Sequence, residues 1–73
     1  MAAVSQQRRI LGESLRVRRK QAGLSQEQLA EKAELHPKYV SEVERGNKTI
    51  SLDALCRIAR ALRLRVRDLV QEL

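Results

Sequence analysis

The sequence predicts an all-α fold, on three observations. Hydrophobic residues make up 42% of the chain but include one aromatic, Tyr39, so the core must be built from Leu, Val, Ile and Ala. A small aliphatic core suits closely packed helices, and no long alternating run supports a sheet. Helix punctuation is also dense: Ser25, Pro37 and Ser51 are start signals, and Gly23 and Gly46 are stop signals. With 73 residues, the chain is expected to form one domain, near the lower limit of what folds unaided.

Five helices are expected. Residues 1–7 are polar and read as a flexible tail ahead of a single domain over 8–73. The first helix spans roughly Arg8 to Ala22, with Leu11 and Leu15 four apart on one face and Gly23 as its C-cap. The second opens at Ser25, with Gln28 three residues on, a capping box, and its apolar stripe is Leu29, Ala30 and Ala33. Glu34-Leu35-His36 forms a tight turn. Pro37 then takes the first position of a third helix, where its missing N–H costs nothing. Val40, Val43 and Glu44 face inward there, and Gly46-Asn47 ends the helix. Ser51 caps a fourth helix whose Leu52, Leu55, Ile58, Ala59 and Leu62 follow helical spacing. Leu64 and Val66 lead into a short last helix with Leu69 and Val70.

Charge is unevenly distributed. Residues 1–24 carry a net +5, residues 25–46 a net −2, and residues 47–73 a net +3, giving +6 for the chain. Positive charge thus flanks the two-helix unit over 25–45 instead of filling it. A short helix pair joined by a tight turn, set in a strongly basic chain, points to duplex DNA, gripped through phosphates on either side of a reading helix.

Other functions are disfavoured. Cys56 is the only cysteine, which excludes an internal disulfide and a multi-cysteine zinc site and suits a reducing cytoplasm. No stretch approaches the roughly 20 apolar residues that span a bilayer, and Gln6-Gln7-Arg8-Arg9 interrupts any signal-peptide core. A soluble cytoplasmic protein is therefore expected. One histidine, one cysteine and no glycine-rich phosphate loop offer no catalytic set, so neither an enzyme nor a metal or cofactor is expected. No small-molecule ligand is expected either, because so short a chain has little room for a separate ligand domain.

Helical spacing turns Pro37, Lys38, Ser41, Glu42 and Arg45 outward from the third helix. The major groove, about 12 Å wide, admits one helix whose N-terminal residues reach base edges. Lys38 and Ser41 suit guanine or adenine, Glu42 suits the cytosine amino group, and Tyr39 suits a thymine methyl or a phosphate. Gln26 lies at the start of the second helix, where free N–H groups favour an anion. Apolar residues Leu64, Val66, Leu69, Val70 and Leu73 exceed what a monomer's core needs, which suggests a homodimer contact.

Several ordered blocks carry a family resemblance. Gly23-Leu24-Ser25-Gln26, Leu29-Ala30, the run Val40 to Gly46, and Ser51-Leu52 with Leu55, Ala59 and Leu62 resemble the Cro/repressor-type helix-turn-helix family. The match covers about Leu11 to Val70. Within it, His36 to Val40 and Asn47-Lys48-Thr49 look most like the small controller proteins of restriction–modification systems. The resemblance implies a compact five-helix, lambda-repressor-like DNA-binding domain. It implies a sequence-specific transcriptional regulator, a homodimer reading a palindromic operator on double-stranded DNA. By the same resemblance Gln26 touches a phosphate and braces the recognition helix, and Asn47, Lys48 and Thr49 follow the backbone, where the outward-facing Arg45 is also expected. Arg19 and Glu44 correspond to a partly buried pair linking the first and third helices.

Departures from the family pattern lead to further expectations. Glu34 stands where glycine is usual, so a left-handed backbone is expected on a non-glycine residue. His36 stands where Ser or Thr commonly caps, which leaves the third helix less well capped. Arg63 and Arg65 replace a usual Gly and Ser. Two other functions remain open on sequence grounds: the antitoxin of a toxin–antitoxin operon, and a protein-interaction adaptor of the transcriptional bridging type that does not read bases.

Overall fold

The computed structural model describes residues 2–73, with side chains from Ser5 onward. Five helices follow in order: α1 (Ala2–Gln21), α2 (Gln26–Ala33), α3 (Pro37–Glu44), α4 (Leu52–Ala61) and α5 (Val66–Val70). No strand occurs among the described residues.

The α1 helix starts well before Arg8, so the tail expected over 1–7 is helical from Ala2. Alanine and glutamine are good helix formers, and no Gly or Pro stands between Ala2 and Arg8 to stop the helix. Met1 lies outside the described residues.

The four longer helices end in one way. After α1, the Leu24 N–H donates to the Arg19 carbonyl at 3.2 Å and the Gly23 N–H to the Lys20 carbonyl at 2.9 Å. Equivalent bond pairs end α2 at Glu34-Leu35, α3 at Gly46-Asn47 and α4 at Arg63-Leu64. These are Schellman motifs, whose penultimate residue must be left-handed. Gly23 and Gly46 take φ of 74° and 76°, while Glu34 and Arg63 are forced to 59° and 58°. Each non-glycine there carries a steric cost from its Cβ. Glu34→Gly and Arg63→Gly are therefore each expected to stabilise the domain by about 0.5–1 kcal/mol, a melting rise of a few degrees. A fall in melting temperature for both would show that these side chains contribute more than the backbone strain costs.

Starts are capped as well. Ser25 Oγ accepts from the Gln28 N–H at 3.0 Å, and Gln28 Oε1 accepts from the Ser25 N–H at 2.8 Å. Ser51 Oγ accepts from the Ala54 N–H at 3.1 Å. His36, expected to cap poorly, does cap α3: its Nδ1 accepts from the Lys38 N–H at 3.0 Å. An imidazole nitrogen here accepts in place of a serine hydroxyl.

The core is aliphatic throughout, with Leu15, Leu29, Val40, Ile58 and Leu69 its largest fully buried side chains. Burial of each contributes about 1.5–3 kcal/mol, more than an exposed ion pair at roughly 0–1 kcal/mol. Two expectations fail here. Leu52 is 73% exposed, because it opens α4 beyond the edge of the core, and Ala54 is buried in its place. Leu69, assigned to a dimer surface, is 1% exposed inside the core, and Leu64, Val66 and Val70 pack partly against that core. A five-residue helix closes the gap beside α1 and α4 only by turning most of its apolar side chains inward. Of the five residues assigned to that surface, Leu73 alone is exposed, at 51%.

Candidate nucleic-acid interface

The α3 helix is held from behind by a buried polar network. Arg19 of α1 donates from Nε to Glu44 Oε2 at 2.7 Å and from Nη2 to Oε1 at 3.1 Å. Its Nη1 donates to the Leu24 carbonyl at 2.8 Å. Gln26, the first residue of α2, donates from Nε2 to Glu44 Oε1 at 3.0 Å. Both charged residues are 7% exposed. Glu44 thus accepts three bonds, two from a parallel guanidinium fork, and this ties α1, α2 and α3 into one body. The amide of Gln26 braces the third helix through Glu44.

Glycine makes a second close contact. A Cβ at Gly12 would clash with the Val43 carbonyl oxygen and lie 2.6 Å from the Glu44 carbonyl oxygen. Backbone of α1 therefore rests directly on the last turn of α3. Sequence reading passed over Gly12, although an isolated glycine inside a helical pattern is the available signal for such an approach.

Held in this way, α3 presents its outer side to solvent. Lys38 and Arg45 are exposed, and Pro37, Ser41 and Glu42 are half-exposed. His36, Lys38, Tyr39, Glu42 and Lys48 line one shallow groove along this face. Glu42 pairs with Lys48 at 3.6 Å, so its charge is countered from the loop after α3 and not by Lys38. The Lys48 ammonium also lies 5.5 Å from the centre of the Tyr39 ring.

Tyr39 also has a structural role. It is half-buried against the core, and its hydroxyl accepts from the Ser51 N–H at 3.1 Å, securing the start of α4. A residue expected to read bases thus anchors the helix behind the loop; its phenolic proton remains free to donate. Asn47 and Thr49 are exposed on the loop, and Thr49 Oγ1 accepts from Arg8 Nη1 at 3.1 Å. The site therefore has α3 at its centre, with the α3–α4 loop and the start of α1 beside it.

Comparison with known proteins identifies the family. A family model described as "Helix-turn-helix" matches residues 15–69, which include the α2–α3 unit and the network behind it. The chain belongs to the helix-turn-helix family of DNA-binding transcription regulators. This helix-turn-helix protein is 38% identical over 64 residues to control protein C.BamHI of Bacillus amyloliquefaciens, covering 86% of this chain and 79% of that one. It is 43% identical over 61 residues to control protein C.SmaI of Serratia marcescens, covering 84% and 73%. Among solved structures, the restriction-modification controller protein C.AhdI of Aeromonas hydrophila superposes with a TM-score of 0.84. That match is 38% identical and covers 94% of this chain and 98% of C.AhdI. No helix in the described residues is long and apolar enough to cross a membrane.

Proposed function

We propose that the protein is a cytoplasmic, homodimeric, controller-type transcription regulator that inserts α3 into the major groove of a palindromic operator. The observation carrying this reading is the solvent-facing outer side of α3, held from behind by the Arg19–Glu44–Gln26 network. Rigid mounting matters because a bidentate base contact tolerates little error in position. Lys38, Ser41 and Glu42 read base edges, with Pro37 placing the first turn close to the groove. Glu42 accepts from a cytosine amino group, and Lys48 shields its charge from nearby phosphates. Gln26, Arg45, Asn47, Lys48 and Thr49 follow the backbone, and Tyr39 donates its phenolic proton to a phosphate while holding α4.

The pairing surface is Leu73 with the half-buried Leu64, Val66 and Val70, and excludes Leu69. Two chains place their α3 helices about 34–36 Å apart, one turn of the duplex. Sedimentation at micromolar concentration is expected to show a species of twice the 8.4 kDa chain mass. A species of one chain mass at all concentrations would remove the dimer.

Selection of bound duplexes from a random pool at physiological salt tests the whole reading. A shared palindromic consensus supports it, whereas binding indifferent to sequence supports a bridging adaptor. Lys38→Ala is expected to relax preference at one base pair by about 1–3 kcal/mol, whereas Arg45→Ala weakens every sequence alike. Equal effects of both variants on all duplexes would overturn this division of roles.

A further inference from the structure

We propose that Arg8 and Arg9, on the early turns of α1, join Arg45 in a clamp for the DNA backbone beside the C-terminal end of the recognition helix. The proposal rests on the reading of α3 given above and adds a contact from an element outside the helix-turn-helix unit.

Ser5, Arg8, Arg9, Arg45, Gly46 and Asn47 line one groove, on the α1 side of the end of α3. The two helices meet there without a gap: a Cβ on Gly46, whose φ is 76°, would lie 2.6 Å from Arg9 Cγ and 3.0 Å from its Cα. Three arginines therefore line the groove at the end of the reading helix. None of them forms an ion pair with a carboxylate among the described residues. Glu13 and Glu72 share a separate groove with Arg9 and Ile10, and neither pairs with the arginine. Arg8 is also pre-positioned. Its Nη1 donates to Thr49 Oγ1 at 3.1 Å and its Nη2 to Ser5 Oγ at 3.4 Å, while its Nε is shielded from solvent without a partner.

Arginines gathered without a carboxylate partner keep their donors open to an anion and attract one. A phosphodiester meets the requirement: it is anionic, accepts from guanidinium forks, and is repeated along a duplex whose groove holds α3. Arg45 and Asn47 flank the recognition helix directly, so the phosphates they approach are those that Arg8 and Arg9 reach from the adjoining helix. The early turns of α1 thereby become part of the binding surface. Their helical state is what aligns both arginines with the end of α3.

The test compares the full chain with Arg8→Gln/Arg9→Gln, which keeps both side-chain stems and helix propensity while removing both charges. Each is titrated, between 50 and 200 mM salt, on a duplex enriched by the wild type and on an unrelated duplex. Each phosphate contact contributes about 0.9 to the slope of log K against log salt, so per protomer the wild type should lose about twelvefold more affinity over that range. Base preference should be unchanged, and Arg8→Lys/Arg9→Lys should restore the slope. A double Gln variant that melts like the wild type, keeps its base preference and shows the same slope overturns the clamp alone. Absence of any DNA binding by the wild type overturns the reading of α3, and the clamp with it. Methylphosphonates at the phosphates bordering the recognised bases repeat the test from the DNA side. A methylphosphonate penalty larger for the wild type than for the double Gln variant supports the clamp, and an equal penalty for both removes it.

Discussion

Arg19→Met is expected to destabilise the domain by about 3–5 kcal/mol, because it leaves the Glu44 carboxylate buried without its main partner. A chain of 73 residues has a total stability of about 4–11 kcal/mol, so this loss is close to unfolding the protein at 25 °C. The guanidinium also satisfies the Leu24 carbonyl at 2.8 Å, so the turn between α1 and α2 loosens as well. Glu44→Met should be comparably costly, since it leaves Arg19 buried and Gln26 without its acceptor. Joining the two substitutions removes both charges and should recover much of the loss, because apolar replacement of a whole buried pair is often near neutral. Urea denaturation of the four proteins forms a double-mutant cycle. Additive losses in the double variant would mean that the pair does not act as one buried unit.

Gly12→Ala carries the second large effect, and its sign is diagnostic. In an exposed helix the change would stabilise by up to about 1 kcal/mol through helix propensity. Here the added methyl meets the carbonyl groups of Val43 and Glu44, which belong to backbone and cannot rotate away. Overpacking of this kind costs about 1–3 kcal/mol, and relief requires α1 and α3 to separate. Thermal melting should therefore fall by roughly 5–20 °C, given about 4–8 °C per kcal/mol at this size. Affinity for DNA should fall further than stability alone explains, because α3 shifts relative to Gln26 and the loop. A Gly12→Ala protein that melts higher than the wild type would show that the helices can part at no cost.

Much of the fold was legible because its signals are local. Capping by Ser25 and Ser51, the stop at Gly23 and the left-handed turn at Glu34 each depend on a few neighbouring residues and their backbone preferences. The inward positions Leu11, Leu15, Leu29, Val40, Val43, Ile58 and Ala59 follow from a 3.6-residue period. Errors came at element ends, where periodicity says nothing about how far the core extends. Leu52 shares a face with Leu55 yet lies beyond the core, and Leu69 looks surplus until α5 is needed as a lid. For His36, the departure from Ser or Thr was visible, but the ring nitrogen's reach to the Lys38 N–H was not. Within the site, the outward side of α3 could be read from helical spacing, whereas pairing of Glu42 with Lys48 instead of Lys38 could not.

By itself, then, the sequence determined the helical class, the placement of the turn between α2 and α3, the aliphatic interior and the excess of positive charge on either side of that unit. Each is set by interactions between residues a few positions apart, or by composition. Tertiary structure alone decided which groups meet, Tyr39 with the Ser51 backbone and Thr49 with Arg8, and that Arg8, Arg9 and Arg45 line one groove. These contacts join residues 12 to 41 positions apart, or helices distant in sequence. Their geometry depends on the crossing of α1 over α3, and that crossing is set by a missing side chain at Gly12, whose partner helix no local pattern names.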